Sequence, residues 1–187
     1  MAAGSEKRSR KRWYMIVASE QFQKALIGEV PCFNGEQLVG KSFWVNLAHL
    51  SGDSRDHSIR LRFQVTHVTG ERADTALLGY ALSPANIKRM VRPGRDRIDD
   101  SFQVVTQDKV GMRVKMLYLT RNKVKRGISR EILHKGREEI AAFFGKVMYE
   151  DAFGEIIANR FQKGLKSVLG KIYPLSNVDV KNLERVK

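Results

Sequence analysis

Nine cationic side chains crowd the stretch from Gly111 to Arg137: Arg113, Lys115, Arg121, Lys123, Lys125, Arg126, Arg130, Lys135 and Arg137, against one acid, Glu131. Like charges at this density repel one another and add nothing to a core, so the pattern calls for a polyanionic partner. The chemistry on offer is charge-assisted hydrogen bonding to phosphate oxygens, fork-shaped from arginine and point-like from lysine. A second cluster, Lys7, Arg8, Arg10, Lys11 and Arg12, stands near the N-terminus with Glu6 as its sole acid. Residues 1–12 and 111–137 together carry +12 of the formal net charge of +14, and the rest of the chain is almost balanced. Clustering of this kind marks a localised anionic ligand, either nucleic acid or an acidic membrane face.

Other residue patterns promise chemistry and fail on context. Gly35-Glu36-Gln37-Leu38-Val39-Gly40-Lys41-Ser42 satisfies the phosphate-loop pattern G-x-x-x-x-G-K-[ST]. That loop needs a buried strand before it and a helix after it, whose N-terminus meets the phosphates. Here Val30-Pro31-Cys32-Phe33-Asn34 precedes it, broken by proline, and a period-two strand follows. No apolar run ending in aspartate stands out as a magnesium holder. His49, His57, His67 and His134 make no ligand pair at helical spacing, and the first and third read as strand residues of the core or edge. Asp99 and Asp100 are adjacent, so on a strand they face opposite sides, and as a turn pair they answer nearby arginines. Cys32, alone, forms no disulfide framework and reads as a small buried hydrophobe. No nucleophilic triad, metal site or cofactor site is expected, and the chain does not read as an enzyme.

The cations need a scaffold. At 187 residues with 42% hydrophobic content, a single domain is expected over 13–187, behind a basic extended tail over 1–12. The tail has no apolar residue suited to a core, so it orders only on a partner. Trp13, Tyr14, Ile16 and Val17 open the folded part as an extended segment. Period-two alternation predicts strands over Ser42–Leu50, Ile59–Val65, Ala73–Leu82, Phe102–Thr106 and Val110–Thr120. Ser83-Pro84 predicts a short helix start holding Ile87, Met90 and Val91. From Ser129 the period turns helical, with Ile132, Leu133, Ile140, Phe143, Phe144, Val147 and Met148 on one stripe. Arg130, Lys135 and Arg137 then fall in its first turns, where the macrodipole disfavours cations unless phosphates bind there too. A second helical region from Glu150 to Ile172 breaks at Gly164 and ends at Pro174, and Val178 and Val180 make a short returning strand. Strands, then helices, then a strand predict an α+β fold: a mainly antiparallel sheet or partly closed barrel with helices of the C-terminal third packed on it. No apolar run approaches the roughly 20 residues that span a bilayer, and no apolar segment follows the N-terminal charges, so an intracellular protein is expected.

Trp13-Tyr14 after a basic run, Gly40-Lys41-x-Phe43-x-Val45-x-Leu47-Ala48-x-Leu50 and the alternating Ile59–Val65 strand follow one another in a familiar order. Arg97-Ile98-Asp99, the strand and basic turn through Arg126, and Ile172-Tyr173-Pro174-Leu175 with Val178 and Val180 continue it. Across about Lys11 to Lys187 the chain resembles the archaeal and eukaryotic small-subunit ribosomal protein family called eS-one, formerly S-three-Ae. It departs where Ala18-Ser19 stands in place of the Ala-Pro that follows Trp-Tyr in many members. It also lacks the long C-terminal tail of eukaryotic members, which implies an archaeal-type chain. The resemblance explains the phosphate-loop match, since Gly40-Lys41 is similar to the Gly-Lys/Arg leading into a family strand. It implies a non-catalytic cytoplasmic ribosomal protein on the small-subunit platform near the mRNA exit, bound to small-subunit rRNA and to neighbouring ribosomal proteins. It implies neither a membrane nor a small-molecule substrate.

The residues expected to contact RNA are Arg121, Lys123, Lys125 and Arg126, continued by Arg130, Lys135 and Arg137. Lys7, Arg8, Arg10, Lys11 and Arg12 are expected to thread into an RNA groove, and Arg60 and Arg62 are weaker additions. The alternative is a non-ribosomal basic module for RNA or for another anionic surface. That module would need an amphipathic helix with an exposed apolar face, whereas these helical stripes are large enough to be core.

Overall fold

Eight strands and five α-helices follow one another in the computed structural model, which describes residues 10–186. In chain order they are β1 (Arg12–Val17), β2 (Leu26–Cys32), β3 (Ser42–Asn46), α1 (Leu47–Ser51), β4 (Ile59–Thr69), β5 (Arg72–Leu82) and α2 (Pro84–Met90). Then come β6 (Arg97–Val105), β7 (Gly111–Thr120), α3 (Arg126–Phe144), α4 (Tyr149–Ile157), α5 (Arg160–Leu169) and β8 (Leu175–Arg185). The fold is α+β, as the order of periodicities predicts. The chain divides into two compact units. One holds the chain up to His57 with Leu61–Leu78, and the other holds Ser58–Arg60 and everything from Gly79 onward.

In the first unit the strands run in the order β2-β1-β5-β4-β3, an open sheet. β1 pairs antiparallel with β2 and parallel with β5. Its core gathers Tyr14, Ile16, Cys32, Leu38, Val65 and Ala73. Alternation along β4 buries Ile59, Leu61, Phe63 and Val65, as their period-two spacing requires. Pro31 is tolerated in β2 because this edge strand has β1 on one side only, leaving no second ladder for proline to interrupt. The strand expected over Ser42–Leu50 stops at Asn46. There the Asn46 side-chain oxygen accepts the Ala48 N–H at 3.1 Å and starts α1, which closes on Gly52 at φ +72°. A local cap therefore overrides the alternation, and His49 lies on a helix, exposed.

The second unit orders its strands β5-β8-β7-β6, all antiparallel. α3 packs on β6 and α5 on β8. β7 is buried on both faces from Met116 to Thr120, as befits a central strand under helices. Besides the start of α3, three boundaries differ from expectation. β6 begins at Arg97, so Asp99 and Asp100 lie within a strand: Asp99 is exposed and Asp100 buried. The break expected at Gly164 falls at Ala158–Asn159, where Asn159 takes φ +56°, a conformation asparagine accepts more readily than most residues. The short final strand is an eleven-residue one between β5 and β7, so it closes the sheet rather than trimming its edge.

The buried row of α3 runs Ile132, Gly136, Ile140, Phe144, one residue per turn. Val147 and Met148 fall outside it, and Met148 is 52% exposed. Gly136 sits over Tyr118 of β7, and a Cβ there would lie 2.7 Å from the tyrosine hydroxyl. That hydroxyl is buried with no hydrogen-bond partner among the described residues, and burial, reinforced by the nearby Asp100 charge, pushes its pKa well above the ordinary phenol value. Gly136→Ala is therefore expected to destabilise the protein by about 1–3 kcal/mol despite the better helix propensity of alanine. Tyr118→Phe should be close to neutral, since it removes an unsatisfied group. The double variant should recover most of the loss in a urea-unfolding series; no recovery would mean that the hydroxyl contact does not dictate the glycine.

Candidate nucleic-acid interface

The basic turn between β7 and α3 is fixed by uncharged and anionic groups beneath it. Thr120, the last residue of β7, is fully buried. Its hydroxyl donates to the Asn122 carbonyl at 2.7 Å and accepts the Asp96 N–H at 2.9 Å. Its own N–H donates to the Asp96 carbonyl at 3.0 Å. The Asp96 carboxylate then accepts the Val124 N–H at 2.8 Å, and the Arg121 N–H donates to the Pro174 carbonyl at 3.1 Å. Backbone groups on both sides of the turn are thus tied down, and the side chains of Arg121, Lys123, Lys125 and Arg126 are left exposed.

α3 begins at Arg126, three residues before the expected start. Lys125 occupies its N-cap position, no side chain caps it, and its first turn holds no acid. The positive end of the helix dipole and the uncapped N–H groups therefore meet Lys125, Arg126 and, one turn on, Arg130. None of the five outward cations (Arg121, Lys123, Lys125, Arg126, Arg130) makes a salt bridge among the described residues. What such an arrangement can do is present phosphate oxygens with several donors at once.

Lys135 and Arg137 are placed otherwise. Because the helix starts earlier, they lie in its third and fourth turns, beyond the reach of the dipole end. Lys135 pairs with Glu138 at 3.1 Å and Glu139 at 3.4 Å, and the Glu138 hydrogen bond holds its pKa above the ordinary lysine value. Arg137 donates twice to Asp100, at 2.8 and 2.6 Å, and its guanidinium lies 5.7 Å from the centre of the Phe102 ring. The Asp100 side chain is only 4% exposed, so the pair latches α3 to β6. On the other side of β6, Asp99 answers Arg97 at 2.6 Å and Lys181 at 3.5 Å.

Of the N-terminal cluster, Lys7 and Arg8 lie outside the described residues. Arg10 and Lys11 are exposed ahead of β1, and Arg12 is its first residue, in register with Cys32. Arg60 is exposed on β4, while Arg62 donates to the Ser42 hydroxyl and lies 5.9 Å from the Trp44 ring. The phosphate-loop match falls on a 3-10 turn, Gly35–Leu38, followed by β3, so no helix N-terminus faces it. Sequence reading misses Thr120 and Asp96 as the clamp of the turn. The Asp96–Thr120 pairing spans 24 residues, and the only local sign is a hydroxyl at the end of an apolar strand.

A family profile, the Ribosomal S3Ae family, matches residues 2–187. Among curated proteins, the chain is 30% identical over 165 residues to the small ribosomal subunit protein eS1 of Nanoarchaeum equitans, covering 88% of this chain and 83% of that one. It is 28% identical over 179 residues to the protein of the same name from Halorubrum lacusprofundi, covering 96% and 83%. For the Saccharolobus islandicus protein, again small ribosomal subunit protein eS1, the identity is 26% over 182 residues, covering 97% and 88%. These relatives are archaeal, and the family is one of ribosomal structural proteins rather than enzymes. With the profile running through the tail, both units and the basic turn, the chain belongs to the Ribosomal S3Ae family.

Proposed function

We propose that this protein is a structural constituent of the small ribosomal subunit, binding rRNA on the platform near the mRNA exit beside neighbouring ribosomal proteins. The observation that carries the RNA-binding part is the clamped turn: five cations without a salt-bridge partner among the described residues, on a backbone held by Asp96 and Thr120 at an uncapped helix start. A fold gains no stability from such a concentration of like charge, whereas a sugar–phosphate chain neutralises it. Family membership supports the ribosomal setting. Arg121, Lys123, Lys125, Arg126 and Arg130 contact phosphates in this reading. Lys135 and Arg137, already matched by acids, add reach more than charge. Lys7, Arg8, Arg10, Lys11 and Arg12 form a second anchor. Contacts of this type follow backbone and shape more than base identity.

Six to ten phosphate contacts imply that affinity for rRNA falls by about 10³–10⁵ between roughly 50 and 200 mM salt. Replacing Arg121, Lys123, Lys125 and Arg126 together by alanine should lower the slope of log K against log salt by about 3. Filter binding to small-subunit rRNA measures both, and an unchanged slope would remove the turn from the interface. Anionic vesicles in the same assay, bound in place of rRNA, would overturn the RNA reading.

Asp96→Ala gives a sharper test. It deletes a negative charge next to the cations, so electrostatics alone predicts tighter binding. It also deletes the acceptor of the Val124 N–H, so loss of the held turn predicts weaker binding. We expect weaker binding, faster hydrogen exchange at the Val124 amide, and a stability loss of about 1–2 kcal/mol. Tighter binding would show that the geometry of the turn is immaterial.

A further inference from the structure

Large apolar side chains gather on one side of the β1–β2 pair in the first unit. Trp13 is 61% exposed, Met15 44% and Phe33 43%. Alternation sets Trp13 and Met15 opposite the buried Tyr14 and Ile16, on the outward side of β1. The register brings Trp13 across from Pro31 and Met15 across from Glu29, while Arg72 of β5 lies in register with Met15 on the other flank. Lys11 holds its ammonium 5.4 Å from the centre of the Phe33 ring. Trp13, Pro31 and Phe33 thus share one side of the pair, with Lys11 at one end and Glu29 marking the other, while Arg12 alternates to the side of Tyr14 and Ile16.

We propose that this surface is a stacking platform for unpaired bases of single-stranded RNA, with Trp13 as the principal stacking ring, Lys11 holding the adjoining phosphate, and Arg10 and Arg12 supplying further charge where the strand leaves the platform. Aromatic rings with cations on their rim suit a strand whose bases are splayed out, because every base offers a π-face and every step a phosphate. The charge decides among occupants. Lys11, with Arg10 and Arg12 beside it in the chain, faces Glu29, and Arg72 is matched by Asp74, so the excess of charge at this end is positive and complements a polyanion, whereas an apolar segment of a protein needs no such rim. The inference rests on the reading of the chain as an RNA-binding protein, but it concerns residues remote in sequence from the basic turn and a different form of RNA.

The chain has two tryptophans, so Trp44→Phe leaves Trp13 as the sole indole reporter. A short oligouridylate should quench its fluorescence saturably, and an RNA duplex of equal length should quench it far less. By anisotropy of a labelled oligouridylate, Trp13→Ala should weaken binding roughly tenfold to a hundredfold and Trp13→Phe much less. Far-UV circular dichroism unchanged in both variants shows that the fold is intact, as expected for so exposed a side chain. The fourfold alanine variant at Arg121, Lys123, Lys125 and Arg126 should keep the Trp13 quenching while losing rRNA affinity. Quenching kept alongside unaltered rRNA binding in that variant would leave the platform standing and overturn the turn. Equal quenching by duplex and single strand, or an unchanged oligouridylate affinity in Trp13→Ala, overturns the platform and leaves the turn.

Discussion

Everything about the cationic turn depends on one neutral hydroxyl and one carboxylate. Arg121, Lys123, Lys125 and Arg126 repel each other, and a free loop would relax that repulsion by spreading. Thr120 prevents this by joining Asn122 and Asp96 through a buried hydroxyl, and Asp96 completes the restraint at Val124. Hydrogen bonds in a shielded position hold more firmly than the screened repulsion of side chains in water. The side chains keep their freedom while the backbone from which they project does not. In the RNA-binding reading proposed above, a phosphate strand would meet a preformed arrangement and lose less affinity to ordering the loop.

The same region shows how a protein sorts its cations. Arg137 and Lys135 are cations like Arg126 and Arg130, and they lie on the same helix. Two turns of displacement give them Asp100, Glu138 and Glu139 as neighbours, and their work becomes structural. Arg137 does this with both arms of its fork on a buried carboxylate, a geometry lysine could not reproduce. The helix is charged along its length but presents unmatched charge only at its start.

Much of the fold is legible in the sequence because its signals are periodic. Ile59 to Val65 alternate and form β4, and Ser83-Pro84 opens α2. The misreadings have local physical causes. Asn46 caps a helix inside an alternating run, and Asn159 rather than Gly164 turns the chain in the left-handed region. For the candidate site, composition discloses where the cations cluster but not which of them have partners. Asp100 and Arg137 are 37 residues apart, and Asp96 and Val124 are 28 apart. No spacing rule links them: the antiparallel pairing of β6 with β7 brings Asp96 to the turn, and the packing of α3 on β6 brings Arg137 to Asp100. Exposure of Trp13 is likewise invisible in a run where Tyr14 and Ile16 are buried, since alternation gives two faces without saying which one looks out.

The position of β8 bears on how such a protein is made. β7 is fully paired only once the segment from Leu175 to Arg185 lies against it, and Thr120 is matched with Leu175. Pro174, which receives the Arg121 N–H, belongs to the same late segment. While the chain is still emerging from the machine that synthesises it, the cations are present but one tether of their turn and the neighbouring strand are not. Charge alone can draw the nascent polypeptide to a polyanion, but the full set of tethers on the turn arrives only with β8. Vectorial synthesis thereby leaves the turn incompletely tethered until β8 has been made.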